Sequence, residues 1–358
     1  MSVIKRILLI IVLIIAFGLA YLLFWPVPIA PVAWTPPTAP GLTGIYQQNQ
    51  RLAGTERLSL GAGFAPEGVA IDAQQRIYGG LDDGRIMRLH SDGTRPELFA
   101  DTKGRPLGLK FDSFGNLIVA DAVKGLLLVS RDGVVSVLTS EAEGVRVGIA
   151  NTVDIAADGT IYFSDASTRF PLTNYKADIL EHQSTGRLLA YNPLTRTTRL
   201  VLGGLSFANG VALSPDQSFV LVNETGKYRI HRVWLNGADS GKSEIFIDNL
   251  PGFPDGISSN GKDRFWLALV TPRDATLDRL LPYPFLRKAV WRLPPFLRPA
   301  PKRYSFVLGL DTKGQVVENL QNGASDCYAQ IANAVEHEGF LYFGSIGEAA
   351  IGRYRLTN

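Results

Sequence analysis

Four residues with side-chain oxygens, Glu67, Asn151, Asn209 and Asp255, hold one equivalent place in a pattern that recurs along this 358-residue chain. Each stands four residues ahead of a strand marker, and a second marker follows six residues after the first. The marker pairs are Ile71 and Ile77, Phe111 and Leu117, Ile155 and Ile161, Leu213 and Phe219, Ser259 and Phe265, and Val335 and Leu341. At the two remaining equivalent places stand Leu107 and Ile331. Two carboxylates brought together repel unless they are protonated or neutralised, and a divalent cation balances them. Carboxylate and amide oxygens without His or Cys suit a hard ion, calcium (Ca2+) before magnesium. The spacing leaves a second reading open, a polar channel whose groups hydrogen-bond to water.

What must position these residues is a set of short strands. From about residue 45 the chain alternates apolar runs with Gly-, Asp- and Asn-rich turns, as in AIDAQQRIYGG and DIAADGTIYFS, and helical spacing is scarce before residue 271. Each marker pair predicts a hairpin, and further strands follow it, as in RLLAYN then TRLVLG. Six such four-stranded units predict an all-β fold, a six-bladed β-propeller, because each small sheet must bury its faces against its neighbours. Two packed sandwiches are the plainer alternative, and six matching hairpins argue against them. Ring closure is expected from Glu56–Leu60, completing the last blade. First strands line a propeller's channel, so the four oxygen-bearing residues should meet there.

The segments APEGVAID, RPLGLKFD, ANTVDIAADGTIYFSDAS, FANGVALSPD, NLPGFPDGIS and VEHEGFLYFGS resemble the six-bladed, calcium-dependent superfamily of gluconolactonase/senescence marker proteins, paraoxonases and diisopropyl fluorophosphatase. Within it the chain is most similar to the strictosidine synthase-like branch, over nearly its whole length. In the hydrolytic members a Glu, two Asn and an Asp at the blade starts hold calcium. By motif these are Glu67, Asn151, Asn209 and Asp255, the residues selected by the repeat. Strictosidine synthase itself condenses an amine with an aldehyde without metal, using a Glu late in the chain. Here AQIANAV, before Glu336, has no acid, and Glu336 and His337 fall in the turn of the last hairpin.

With calcium in place, a carbonyl or phosphoryl group would be polarised and its oxyanion stabilised. Attack would come from water or from Asp255 through a covalent intermediate. Asp121 and Asp165 end the second strands of blades two and three, and antiparallel pairing returns them to the ligand face as candidate bases or orienting groups. Capping of the strand-to-loop turn is their alternative role. His90 and His231 fall on third strands near the periphery, whereas His182 lies in an insertion that could reach the site. The histidine pair attributed to paraoxonases has no placeable counterpart. No Gly-x-Ser-x-Gly elbow exists, and Gly256 to Lys262 nearly spells a phosphate loop but reads as a hairpin turn. The sequon at Asn223 would matter only in a secretory eukaryote.

Composition bounds the rest. The chain is 46% hydrophobic and 19% charged, with 36 Gly, 21 Pro, a net charge of +3 and a single cysteine, Cys327. A disulfide framework, a disordered chain and a nucleic-acid-binding field are thereby excluded. Ile7 to Trp25 carry no charge and would span about 28 Å as a helix, enough for one bilayer core. Lys5 and Arg6 precede them, which places the N-terminus in the cytoplasm and the body outside it, in a periplasmic, lumenal or extracellular space. A cleaved signal peptide is the rival, with small residues at Gly18 and Ala20, but apolar Tyr21–Trp25 follow directly.

The expected organisation is therefore a cytoplasmic start and single transmembrane helix over 1–25, a stiff Pro-rich stalk over 26–44, and a propeller over 45–358. Insertions at 168–186 and 271–303 should emerge as lids on the ligand face. The second carries eight basic residues against Asp274 and Asp278, interleaved with Leu, Phe and Trp, a pattern for an anionic bilayer surface or for a packed cap. The expected function is calcium-dependent hydrolysis of a small-molecule ester or lactone. A non-catalytic, calcium-stabilised binding propeller and a metal-free lyase of the strictosidine synthase type are the alternatives.

Overall fold

A computed structural model describes residues 3–356. Helix α1 (Val3–Phe24) runs for 22 residues, none of them buried, and is long and apolar enough to cross a membrane. The body is a ring of six four-stranded antiparallel sheets. In five of them the strands follow in chain order. The sixth is closed by Glu56–Ser59, which pairs with Ala350–Arg355 so that Arg57 faces Gly352. A small hairpin over residues 141–146 lies between the second and third sheets.

The apolar alternation of the strands is consumed between blades. Tyr162, Leu188 and Ala190 of the third sheet pack on Val211, Leu213 and Val222 of the fourth, and Tyr78 and Ile86 of the first on Leu117 and Val119 of the second. Burying each such Val, Leu or Ile side chain contributes about 1.5–3 kcal/mol. The core is thus a set of layers between neighbouring sheets.

Four of the six expected hairpin registers hold, among them Ile71 opposite Ile77 and Ile155 opposite Ile161. Leu213 instead faces Val220, because the Ser214–Ser218 loop is a wider turn with Gln217 at φ 60°. In the last blade Leu341 faces Glu336, since Glu338 and Gly339, both at positive φ, make a two-residue turn between His337 and Phe340. The phosphate-loop look-alike is a hairpin turn in which the Asn260 side chain accepts from the amides of Lys262, Asp263 and Arg264.

The Pro-rich stretch is extended, as expected, but it is not a free stalk. The amide of Ala30 donates to Glu181 Oε1 (2.6 Å), that of Val32 to the Glu181 carbonyl (2.9 Å) and that of Trp34 to the Leu281 carbonyl (3.2 Å). Ile29 is buried, and Trp34 stacks on His182 with ring centroids 4.6 Å apart. An extended backbone has no internal partners for its polar groups, and here the two insertions supply them. The segment is a strap bound across the lids.

The first insertion carries α2 (Tyr175–Glu181). The second carries α3 (Ala275–Leu280), whose N-cap Asp274 accepts from the amides of Thr276 and Leu277, and α4 (Pro284–Arg292), which begins on proline.

Candidate metal centre and active-site cavity

The first strands deliver three of the four oxygen-bearing residues through a shared irregularity, and Glu67 stands just ahead of its strand, Val69–Ile71. Strand register breaks between Ala150 and Val153, between Ala208 and Val211, and between Pro254 and Ile257. Asn151, Asn209 and Asp255 sit in these breaks, where a bulge frees the residue from the ladder and re-aims its side chain. Glycine follows Glu67, Asn209 and Asp255, though not Asn151, because the next blade passes close by. A Cβ on Gly210 would lie 2.5 Å from the Asp255 carbonyl oxygen, and one on Gly256 would lie 2.4 Å from that of Ala332. Leu107 and Ile331, at the two apolar places, are also buried.

Glu67, Asn151, Asn209 and Asp255 form the floor of a cavity of about 330 Å³. Phe207, Phe253 and Val270 make apolar walls, α2 contributes Tyr175 and Ile179 to the roof, and α3 and residues 298–302 close the other side. Burial pushes the Asp255 carboxyl well above its ordinary range, the charge of Glu67 pushes it further, and a hydrogen bond from Asn209 only partly opposes them. Glu67 is also raised by burial, against the pull of Arg105. Burial raises the Tyr175 phenol as well, with the charges of Glu67 and Asp255 adding to it.

The buried Oδ1 of Asn209 has no hydrogen-bond partner, while Asn151 Oδ1 accepts from Thr152 Oγ1 (3.1 Å). Among the described residues no group of three or more His, Cys, Asp or Glu side chains stands together. Two carboxylates and two amide oxygens, one of them the orphaned acceptor, fit a hard cation and give a soft transition metal nothing to bind.

The other candidates fall elsewhere. Asp121 and Asp165 do not line the cavity. The carboxylate of Asp121 accepts from the amides of Val123 and Lys124, capping its own turn. Asp165 accepts from the amides of Gly148 and Ile149 and pairs with Arg187 at 2.6 Å. Both carboxylates thus take the alternative capping role outside the cavity, with one buried oxygen of Asp121 left unpartnered.

None of the histidines reaches the cavity. His182 is buried against Trp34, and desolvation, reinforced by Arg287 and Lys227, lowers its pKa to about 3, leaving it neutral. His231 bonds to buried Glu224 (2.7 Å). Burial would raise Glu224, but that bond, the Ser206 amide, Lys227 and Arg229 together hold it at about 2. His90 is exposed. Glu336 takes hydrogen bonds from Trp266 Nε1 and Asn260 Nδ2, away from the cavity.

One polar residue of the floor lies outside the repeat's phase. Arg105 is buried, with its guanidinium 3.3 Å from Glu67 Oε2 and donating to the carbonyls of Ala65 (3.0 Å) and Gly80 (3.3 Å). The only sequence signal for it was a basic residue two places before Leu107, at a blade start.

The family model described as strictosidine synthase matches residues 151–238, and that described as strictosidine synthase-like, N-terminal, matches residues 44–89. Strictosidine synthase-like protein 6 of Arabidopsis thaliana is 36% identical over 316 residues, covering 86% of this chain and 84% of its own. The chain belongs to the strictosidine synthase-like family. Another relative of this strictosidine synthase-like chain is adipocyte plasma membrane-associated protein of Rattus norvegicus, 33% identical over 354 residues, 92% of this chain and 94% of that one. Among solved structures, a gluconolactonase from Xanthomonas campestris superposes with a TM-score of 0.63 at 18% identity, covering 92% of this chain and 99% of that chain. The strictosidine synthase-like chain thus shares the propeller fold of a lactonase.

Proposed function

We propose that the protein is a membrane-anchored, calcium-dependent hydrolase of an ester or lactone. One observation carries the reading: Glu67, Asn151, Asn209 and Asp255 converge on the floor of a single apolar-walled cavity, with the Asn209 amide oxygen unpartnered. The lactonase-type fold and the plasma-membrane naming of a relative agree with it. These four residues would hold the ion. When bound, calcium supplies positive charge that polarises a carbonyl and stabilises the oxyanion formed from it.

The chain's own groups do the remaining work. Phe207, Phe253 and Val270 take the apolar part of a substrate and exclude water from the floor. Asp255, whose carboxyl is raised by burial and by the charge of Glu67, is placed to exchange a proton or, as the carboxylate, to attack a carbonyl. Arg105 holds the Glu67 carboxylate in one orientation.

The Arg105–Glu67 contact also favours a second reading. The guanidinium already balances one of the two carboxylates, which would let the floor stand without metal, as a strictosidine synthase-type lyase requires. One experiment separates the two. The purified full chain is assayed for bound calcium and for turnover of phenyl acetate and a simple lactone, with and without chelator. Bound calcium with chelator-sensitive hydrolysis supports the first reading. A metal-free protein that joins an amine to an aldehyde supports the second.

A further inference from the structure

The C-terminal end of α1 is fastened to the lid. Arg292, the last residue of α4, is buried and donates through Nε to the Trp25 carbonyl (2.6 Å) and through Nη1 to the Leu22 carbonyl (2.8 Å). Tyr21 returns a hydrogen bond from its hydroxyl to the Arg292 carbonyl (3.3 Å). A helix leaves its last carbonyls unpaired, and a cation there also complements the helix dipole. The docked strap then ties the same end across α2 and α3. The place where the chain leaves the bilayer is therefore fixed relative to the cavity roof.

Two features mark that level of the molecule. Tyr21 and Trp25, with ring centroids 5.8 Å apart, form the aromatic pair that favours a membrane–water interface. Beside them the lid exposes Tyr283, Phe285, Leu286, Phe296 (83%) and Leu297.

Three of the eight basic residues of this lid, Arg273, Arg287 and Arg292, are buried, and three more have partners nearer the surface. Arg287 donates to the Leu180 and Val32 carbonyls, Arg273 pairs with Asp278, Arg298 stacks over Trp291, and Lys302 and Arg303 pair with Asp274 and Glu348. Burial lowers the pKa of Arg287 to about 10, and the residue stays charged. Within 281–298 the half-exposed Lys288 is the one basic residue without a protein partner among the described residues, beside five exposed apolar side chains, while Arg279, Lys302 and Arg303 are exposed on its flanks.

We propose that the lid segment 281–298 lies in the interface of the same bilayer that α1 enters, seated by apolar side chains and not by charge. The cavity wall at 298–302 continues this segment, so the cavity meets its substrate from the membrane side. The seating stands or falls independently of any catalytic activity, because its test reads position alone.

The full chain, in a Cys327→Ser background, is labelled with an environment-sensitive fluorophore at Phe296→Cys and reconstituted in phosphatidylcholine vesicles. Leu194→Cys, on an exposed turn between third and fourth strands at the opposite face, serves as the control. The expected result is a blue-shifted label at 296, quenched several-fold more by brominated phosphatidylcholine than the label at 194, and shielded from aqueous iodide. Adding phosphatidylserine should change this less than about twofold. Equal iodide access at 296 and 194 would overturn the proposal, as would seating that appears only with anionic lipid. Leu297→Cys repeats the measurement at an independent position should the first variant misfold.

Discussion

Replacing Asp178 by Asn should make the protein less sensitive to rising pH. Asp178 lies on α2, the helix that roofs the cavity, but does not line it; it is 2% exposed, with Ser167 Oγ at 2.5 Å from one oxygen and no partner for the other. Burial raises its carboxyl from 3.8 to about 7, against the Ser167 hydrogen bond and with the charge of Glu181 adding to the rise. The folded state therefore prefers the protonated acid. The stability associated with that preference is fully present below about pH 4 and is lost as pH climbs through about 7. Linkage between these two values makes the ionisable group cost about 2 kcal/mol at pH 5 and about 4 kcal/mol at pH 8. The pH-dependent part is thus about 2–3 kcal/mol. With about 2 cal/mol/K of unfolding entropy per residue over a ring of this size, it corresponds to a shift of about 4 °C.

The assay is a set of thermal melts of the full chain in detergent, wild type and Asp178→Asn, from pH 5 to pH 8. Substitution removes a constant contribution from the Ser167 contact, so only the slope matters. The wild type should lose about 4 °C more than the variant across this range. Parallel curves would show that water reaches Asp178 and that the α2 roof is not the dry cover described above.

Other outcomes follow from the floor and the ring. Asp255→Asn and Glu67→Gln should each abolish the calcium-induced rise in Tm and reduce ester or lactone turnover at least a hundredfold, read by melts and steady-state kinetics. Arg105→Gln removes the cation beside Glu67, so the metal-free protein should melt lower while its gain in Tm on adding calcium exceeds that of the wild type. Gly210→Ala places a methyl 2.5 Å from the Asp255 carbonyl and should destabilise by about 1–3 kcal/mol in a denaturant titration. Arg292→Ala should leave soluble-substrate kinetics unchanged but increase deuterium uptake at residues 21–25, whose carbonyls it binds.

The positions of Glu67, Asn151, Asn209 and Asp255 were legible because a propeller places equal spacings at equal depth, so phase along the chain became proximity in space. Asp121 and Asp165 misled for a complementary reason. Ending a second strand brings the backbone to the ligand face but does not say where the carboxylate turns, and nearby amides captured both. Arg105 escaped notice because it lies two residues outside the phase that revealed its neighbours. Proline content announced an extended strap, yet the partners of Ala30, Val32 and Trp34 come from insertions some 150 to 250 residues away. Formal charge likewise exposed the basic cluster at 271–303 and hid its use, since the acceptors of Arg287 and Arg292 are backbone carbonyls that no composition displays.

The pairing of Glu56–Ser59 with Ala350–Arg355 imposes an order on the protein's birth. The closing strand leaves the ribosome early, after the apolar helix and the strap, while its partner is made about 290 residues later. At about 5–20 residues per second, it waits about 15–60 s for that partner. Throughout this interval its edge is open to any other unpaired strand. Glu56 and Arg57, both charged and outward-facing in the finished ring, would discourage such premature partners, and an apolar strand at the same place would invite them. If the helix enters a bilayer as proposed, it can do so before the ring exists, and closure would then take place on a chain already tethered.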